Sequence, residues 1–194
     1  MSKSKMWILS LLTVAVIIVA GAEIFAESDT TKAAFEIRKV PEQVVLYTIH
    51  RGSYDKSGMA IGKLYALAGQ KGLRPRGVLS YAYLNNPKLV SSDHWLTEIR
   101  IPVDKEALKL ASKLGEMTDV KTLPEMDVAV AVKPKGLKDP SSIYRNLYYW
   151  IFEQGYMVTD AHCETFLSGT ETGDYAQMKS EIMVPVTKLA TKDN

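Results

Sequence analysis

Apolar positions along the chain switch between two periods, and the switches predict its elements. Residues 43–50 (QVVLYTIH) and 126–132 (MDVAVAV) are rich in β-branched side chains and read as strands. Downstream of the second run, Ile143, Leu147, Tyr148 and Ile151 recur at helical spacing. Asp139 stands as an N-cap there, Pro140 as the first helical residue and Gly155 as the stop, which predicts a helix over 140–154. Downstream of the first run the same order returns, with Asp55 near the start, Met59, Leu64, Tyr65 and Ala68 on the apolar face and Gly72 at the end, for a helix over 56–71. Two further strands follow each helix, at 78–84 and 96–103 and at 161–167 and 180–186, turned by Asn85-Asn86-Pro87 and by Ser168-Gly169.

The parallel order is an internal repeat. Pro41/Pro124, Glu42/Glu125, Val45/Val128, Leu64/Leu147, Tyr65/Tyr148, Gly72/Gly155, Leu84/Leu167, Glu98/Glu181 and Pro102/Pro185 are identical pairs, each 83 residues apart, with no net insertion between residues 36–103 and 119–186. Two copies of one supersecondary unit explain this economically. The expected fold is therefore α+β, built from two pseudo-symmetric strand–helix–strand–strand units. Repeat 1 spans 36–103 and repeat 2 spans 119–187, within a domain running over 36–190. Residues 104–118 are read as the linker between them, although 107–114 (ALKLASKL) has the composition of a short helix.

The first residues change the picture of where this domain works. Lys3 and Lys5 precede an uncharged apolar run over 6–22, and Glu23, Glu27 and Asp29 follow it. That charge order sends the remainder of the chain across the cytoplasmic membrane. Residues 1–26 are read as either a signal peptide, cleaved after a small-x-small pattern such as Ala20-Gly21-Ala22, or an uncleaved single-span anchor, with 27–35 as a linker. The expected location is extracytoplasmic, with contact to the membrane through residues 6–22 if the segment is retained. The formal charge of +2, with both signs scattered, offers no basic stripe for nucleic acid. A single cysteine, Cys163, excludes an internal disulfide, and dispersed His50, His94 and His162 do not suggest a metal site. No resident cofactor is expected.

Five stretches carry a resemblance. Gly52-Ser53-Tyr54, Gly62-Lys63-Leu64-Tyr65, Gly72-Leu73-Arg74-Pro75, Tyr83-Leu84-Asn85-Asn86-Pro87 and Thr97-Glu98-Ile99-Arg100-Ile101-Pro102-Val103 make an ordered series that resembles the GyrI-like family. That family includes the effector-binding domains of multidrug-responsive transcription activators. The resemblance covers about residues 36–187 and implies a pair of SHS2-type units forming one effector-binding domain, with a ligand cleft between the halves. It also implies bulky, often cationic aromatic ligands, and some members resemble hydrolases that open cyclopropane-bearing toxins. The family's cation-binding or catalytic carboxylate falls on Glu164, in Glu164-Thr165-Phe166. The second copy departs from the pattern at Gly136-Leu137-Lys138 and at Ser168-Gly169, and the chain has no DNA-binding region.

Strand alternation independently groups His162, Glu164 and Phe166 on one face, and the offset maps them onto Leu79, Tyr81 and Tyr83. A carboxylate among aromatic rings suits a lipophilic cation, through charge pairing and cation–π attraction together; the alternative is a solvated glutamate beside core aromatics. Tyr148 and Trp150 are candidates to reach the same cleft from the second helix. Glu98 and Glu181 occupy equivalent places, and that symmetry suggests a structural job, such as bonding backbone groups, over a chemical one. The expected function is binding, at the cell envelope, of a bulky, amphipathic small molecule that is expected to be cationic. The alternative is hydrolysis, with Glu164 activating water and Tyr81 assisting. Tetrapyrrole binding comes third.

Overall fold

The computed structural model describes residues 35–170 and 174–190. Its strands are β1 (Glu36–Val40), β2 (Gln43–Arg51), β3 (Ser80–Tyr83), β4 (Leu96–Val103), β5 (Thr118–Leu123), β6 (Met126–Lys133), β7 (Tyr156–Val158), β8 (Cys163–Ser168) and β9 (Lys179–Lys188); its helices are α1 (Gly58–Gln70) and α2 (Ser141–Glu153). The fold is α+β, as the sequence predicts. The signal-or-anchor expectation falls on residues outside the described ones. Among the described residues no helix is long and apolar enough to cross a membrane.

One antiparallel sheet runs β1-β6-β9-β8-β3-β4-β2-β5, with β7 added alongside β9. The two halves share their registers at the 83-residue offset. Val44 faces Val103 as Asp127 faces Val186, and Gln43 faces Leu123 as Met126 faces Val40. The edge strand of each half is thus supplied by the chain leading into the other half. At the centre β3 and β8 pair as Ser80↔Thr165, Tyr81↔Glu164 and Ala82↔Cys163, a set that the offset maps onto itself. A local two-fold therefore passes between Tyr81 and Glu164.

The helices cover one face of this sheet. Leu64 and Ala68 of α1 pack into a core with Val44, Leu46, Ile99, Ile101 and Val103, while Leu147 and Ile151 of α2 pack with Ala129, Ala131, Ile182 and Val184. Each leucine, isoleucine or valine so buried stabilises by about 1.5–3 kcal/mol. Helix α1 ends where expected. Gly72 takes φ +66°, its N–H donates to the Gly69 carbonyl and the Leu73 N–H donates to Ala68, which is a Schellman closure. Helix α2 begins one residue later than predicted, at Ser141, and the Asp139 carboxylate accepts from the Ser141 N–H at 2.9 Å.

Three differences from the sequence reading have physical causes. The edge strands β1 (EIRKV) and β5 (TDVKTL) are not expected from the sequence, because short, charged edge strands lack a clear apolar alternation. The stretch read as a plain linker holds a 3-10 helix, Lys105–Leu110, which buries Ala107 completely. Glu98 and Glu181 bind side-chain cations instead of backbone groups. Arg100 donates to Glu98 at 2.6 Å and Lys121 lies 2.7 Å from it, while Arg38 donates to both oxygens of Glu181 at 2.8 and 2.9 Å. Lys121 and Arg38 are themselves one offset apart, so the same ion pair fastens β5 to one half and β1 to the other.

Candidate functional site

A cavity of about 1940 Å³ opens between α1 and α2 above the β3–β8 pair. Drug-sized pockets are on the order of 300–1,000 Å³, so this one admits a bulky molecule. The helices supply Ile61 and Tyr65 on one side and Tyr144, Tyr148, Tyr149 and Phe152 on the other, while the strands supply Leu79, Tyr81, Tyr83 and Phe166 as the floor. His162 lines the cavity just before β8, and Tyr148 lines it from α2. Trp150 does not reach it: its ring packs 5.8 Å from Phe35 against the second core. A helix turns about 100° per residue, so with Tyr148 and Tyr149 both lining the cavity the next residue, Trp150, is carried round towards the second core.

Glu164 lies in the same sheet layer as the floor, directly opposite Tyr81 on β3, and its neighbours cover it. It has no exposed surface, yet its carboxylate accepts four hydrogen bonds. The Tyr83 hydroxyl donates to Oε2 at 2.7 Å, the Tyr175 hydroxyl donates to both oxygens at 2.9 and 3.0 Å, and the Ser180 hydroxyl donates to Oε1. Among the described residues no cationic side chain lies within 4.0 Å of it. Tyr83 and Tyr175 line the cavity, so the two residues link its wall to the carboxylate. Burial first, and the Glu164 charge second, hold the phenols of Tyr83, Tyr144 and Tyr175 well above their ordinary range, so each remains a protonated donor.

The rings around this carboxylate form a connected cluster. Tyr83 lies 5.2 Å from Tyr54 and 5.2 Å from His162, Tyr81 lies 4.9 Å from Phe166 edge to face, and Tyr54 stacks on Trp95 at 4.5 Å. Tyr144 closes on His162 at 5.0 Å. Edge-to-face pairs of this kind fix ring orientation as well as burying area. The Tyr81 hydroxyl is occupied by Ser57, 2.5 Å away, and does not point at Glu164. Burial lowers the His162 imidazole below its ordinary value and raises the Cys163 thiol to about 11, so neither is charged near neutrality. Among the described residues no cluster suits a metal ion.

The sequence-based reading brings Leu79, Tyr81, Tyr83, His162, Phe166 and Tyr148 to one place, where the structure also puts them. It misses Tyr175, Ser180 and Lys133. Ser180 is within reach of that reasoning, since it pairs across the sheet with Phe166. Lys133 shares the inward alternation of Ala129 and Ala131, an unusual place for a lysine. Tyr175 lies in a 3-10 turn (Tyr175–Gln177) outside both periodic patterns and leaves no signal.

Comparison with known proteins agrees with this geometry. Residues 16–104 match the model of the GyrI-like small molecule binding domain. Over that span the chain is similar to the GyrI-like family. The EcmrR C-terminal domain, solved by crystallography, matches with a TM-score of 0.61 at 18% identity, over 81% of this chain and 99% of that one. EcmrR in its DNA complex matches with a TM-score of 0.63 at 17% identity, over 84% of this chain but only 60% of that one. A hydrolase encoded by lin2189 from Listeria innocua matches with a TM-score of 0.61 at 17% identity, over 80% of this chain and 93% of that one. At these identities the likeness is one of fold. No curated protein sequence matches the chain. The GyrI-like match supports a small-molecule partner.

Proposed function

We propose that the GyrI-like domain binds a bulky, amphipathic, cationic small molecule, and that residues 1–34 place it outside the cytoplasmic membrane. One observation carries the reading: a fully buried carboxylate, Glu164, held by tyrosine and serine hydroxyls beneath an aromatic cavity of about 1940 Å³. Aromatic faces attract a cation by their quadrupoles, and a carboxylate behind them strengthens that attraction where water is excluded. The location rests on the charge order around residues 6–22.

A hydrolytic reading uses the same carboxylate and has a hydrolase among the chain's structural neighbours. It asks Glu164 to hold a water, whereas both oxygens already accept from three hydroxyls and no carboxylate surface is exposed. Binding is therefore the better-supported function. The test is titration of the full chain with a matched pair, N-methylacridinium and neutral acridine at about pH 8. Wild type should prefer the cation, and Glu164→Gln should lose on the order of tenfold for the cation with little change for the neutral ring. Equal affinities in wild type sink the cation reading. Breakdown of a strained electrophile that stops in Glu164→Gln restores hydrolysis.

A further inference from the structure

Lys133 ends β6 on the inward face, fully buried. Its ammonium donates to the Tyr175 carbonyl at 2.9 Å and to the Met178 carbonyl, and stands 4.2 Å from the centroid of the Tyr175 ring. The hydroxyl of that same ring donates to both oxygens of Glu164. Lys133 is also the direct cross-strand neighbour of Ser180, the third donor to the carboxylate. Ammonium and carboxylate thus share the Tyr175 side chain, one at its ring face and one at its hydroxyl, without touching.

Two carbonyls alone do not call for a lysine at this position. An amide or a water satisfies a carbonyl, whereas burying an ammonium is costly unless an opposite charge offsets it. Burial pulls Lys133 below the ordinary lysine range, and Glu164 followed by Asp174 pushes it back, so Glu164 is the largest compensation in its field. Conversely, no ion pair joins Glu164 to any other cation among the described residues. Tyr175 and Met178, which Lys133 pins, both line the cavity.

We propose that Lys133 is the internal counter-ion of Glu164 and sets how strongly the cavity prefers a cation over a neutral molecule of the same shape. This rests on the cation-binding function proposed for the cavity. A ligand cation above Tyr175 shares that ring with the Lys133 ammonium and meets its repulsion, so the carboxylate's pull is partly cancelled. The domain then binds cations without carrying an uncompensated buried charge when empty.

The experiment has two arms on the full chain. In the first, N-methylacridinium and acridine are titrated into wild type, Lys133→Met and Lys133→Arg at about pH 8. Loss of the ammonium should raise the cation-to-neutral affinity ratio on the order of tenfold, while arginine, which keeps the charge, should leave it near the wild-type value. In the second, urea unfolding without ligand compares Lys133→Met, Glu164→Gln and the double variant. Counter-ions should be coupled, so that Lys133→Met costs at least roughly fivefold less in the unfolding constant when Glu164 is already neutral. If Lys133→Met does not fold, Lys133→Gln retains a donor for the two carbonyls and takes its place in both arms. An additive cycle overturns the proposal whatever the ligands do. So does an unchanged ratio in the lysine variant of a wild type that prefers the cation. A coupled cycle in a protein with no cation preference upholds the counter-ion and rejects the cation reading alone.

Discussion

Replacing Tyr175 by phenylalanine removes one oxygen from the site and leaves the ring, and with it the surface that Lys133 faces. That oxygen donates to both carboxylate oxygens of Glu164, at 2.9 and 3.0 Å. A hydrogen bond to a charged acceptor contributes about 1.5–3 kcal/mol net, against about 0.5–1.5 kcal/mol for a neutral pair. Tyr83 and Ser180 still serve the carboxylate afterwards, so the loss lies inside that range and not above it. The expected destabilisation is about 2 kcal/mol, roughly a thirtyfold change in the unfolding constant and on the order of 4–8 °C in Tm. Tyr144→Phe is the matched control. Tyr144 lines the same cavity and lies in the same electrostatic field, but its hydroxyl donates to no side chain among the described residues. Its loss should stay within about 0.5 kcal/mol. Urea titration followed by far-ultraviolet circular dichroism measures both. If Tyr175→Phe is as benign as Tyr144→Phe, the Tyr175 hydroxyl does not organise the carboxylate, and the buried Glu164 must be held by other means.

Three further outcomes follow from the same geometry. Gly169 holds φ +86°, and a Cβ there would collide with the Gln177 carbonyl, so Gly169→Ala should cost on the order of 1–3 kcal/mol, read as a lower Tm, and weaken ligand binding by displacing the turn that carries Tyr175. Burial holds the His162 imidazole below 6.5, so the unfolded chain binds a proton that the folded chain resists. Its contribution is complete above about pH 6.5 and is lost as the pH falls through that value towards the folded pKa; unfolding between about pH 5 and 7 should therefore flatten in His162→Gln relative to wild type. Glu98→Gln weakens the contacts to Arg100 and Lys121 and should lower stability by about 1–3 kcal/mol while leaving the cation-to-neutral affinity ratio unchanged, since Glu98 lines no part of the cavity.

How much is legible in the sequence follows from which signals are local. The helices, their glycine stops and the six strands β2, β3, β4, β6, β8 and β9 are readable because periodicity and Gly72 or Gly155 act within a few residues of themselves. The cavity floor is readable for a different reason: alternation and the offset together fix which side chains share a face, so Leu79, Tyr81, Tyr83 and Phe166 can be grouped without coordinates. Trp150 is misplaced because the aromatic residues of α2 surround the helix, and composition does not say which of Tyr149 and Trp150 faces the sheet. Tyr175 is invisible because the 3-10 turn that carries it, the counterpart of Ser92–His94 in the first copy, has neither helical nor strand period and Ser92 offers no matching ring, and its role exists only once β8 and β9 are side by side.

The offset also explains why the site has a direction. Tyr81 and Glu164 face each other across the local two-fold, Leu79 corresponds to His162, Tyr83 to Phe166, Thr97 to Ser180 and His50 to Lys133. The backbone at each pair is the same, yet apart from Tyr83 the polar groups that serve the carboxylate come from the second copy. Ser180 reaches Glu164, whereas the Thr97 hydroxyl is buried with no partner among the described residues. Lys133 compensates a buried carboxylate, whereas His50 turns its Nε2 to the Ser53 carbonyl, 3.1 Å away. A symmetric floor of two tyrosines would offer only ring faces, and a symmetric floor of two glutamates would place like charges side by side at a cost neither could offset. One carboxylate on an axis of repeated backbone, with Ser180, Tyr175 and Lys133 drawn from the same copy, gives a cavity whose shape comes from the repeat and whose single buried charge comes from the positions where the copies differ.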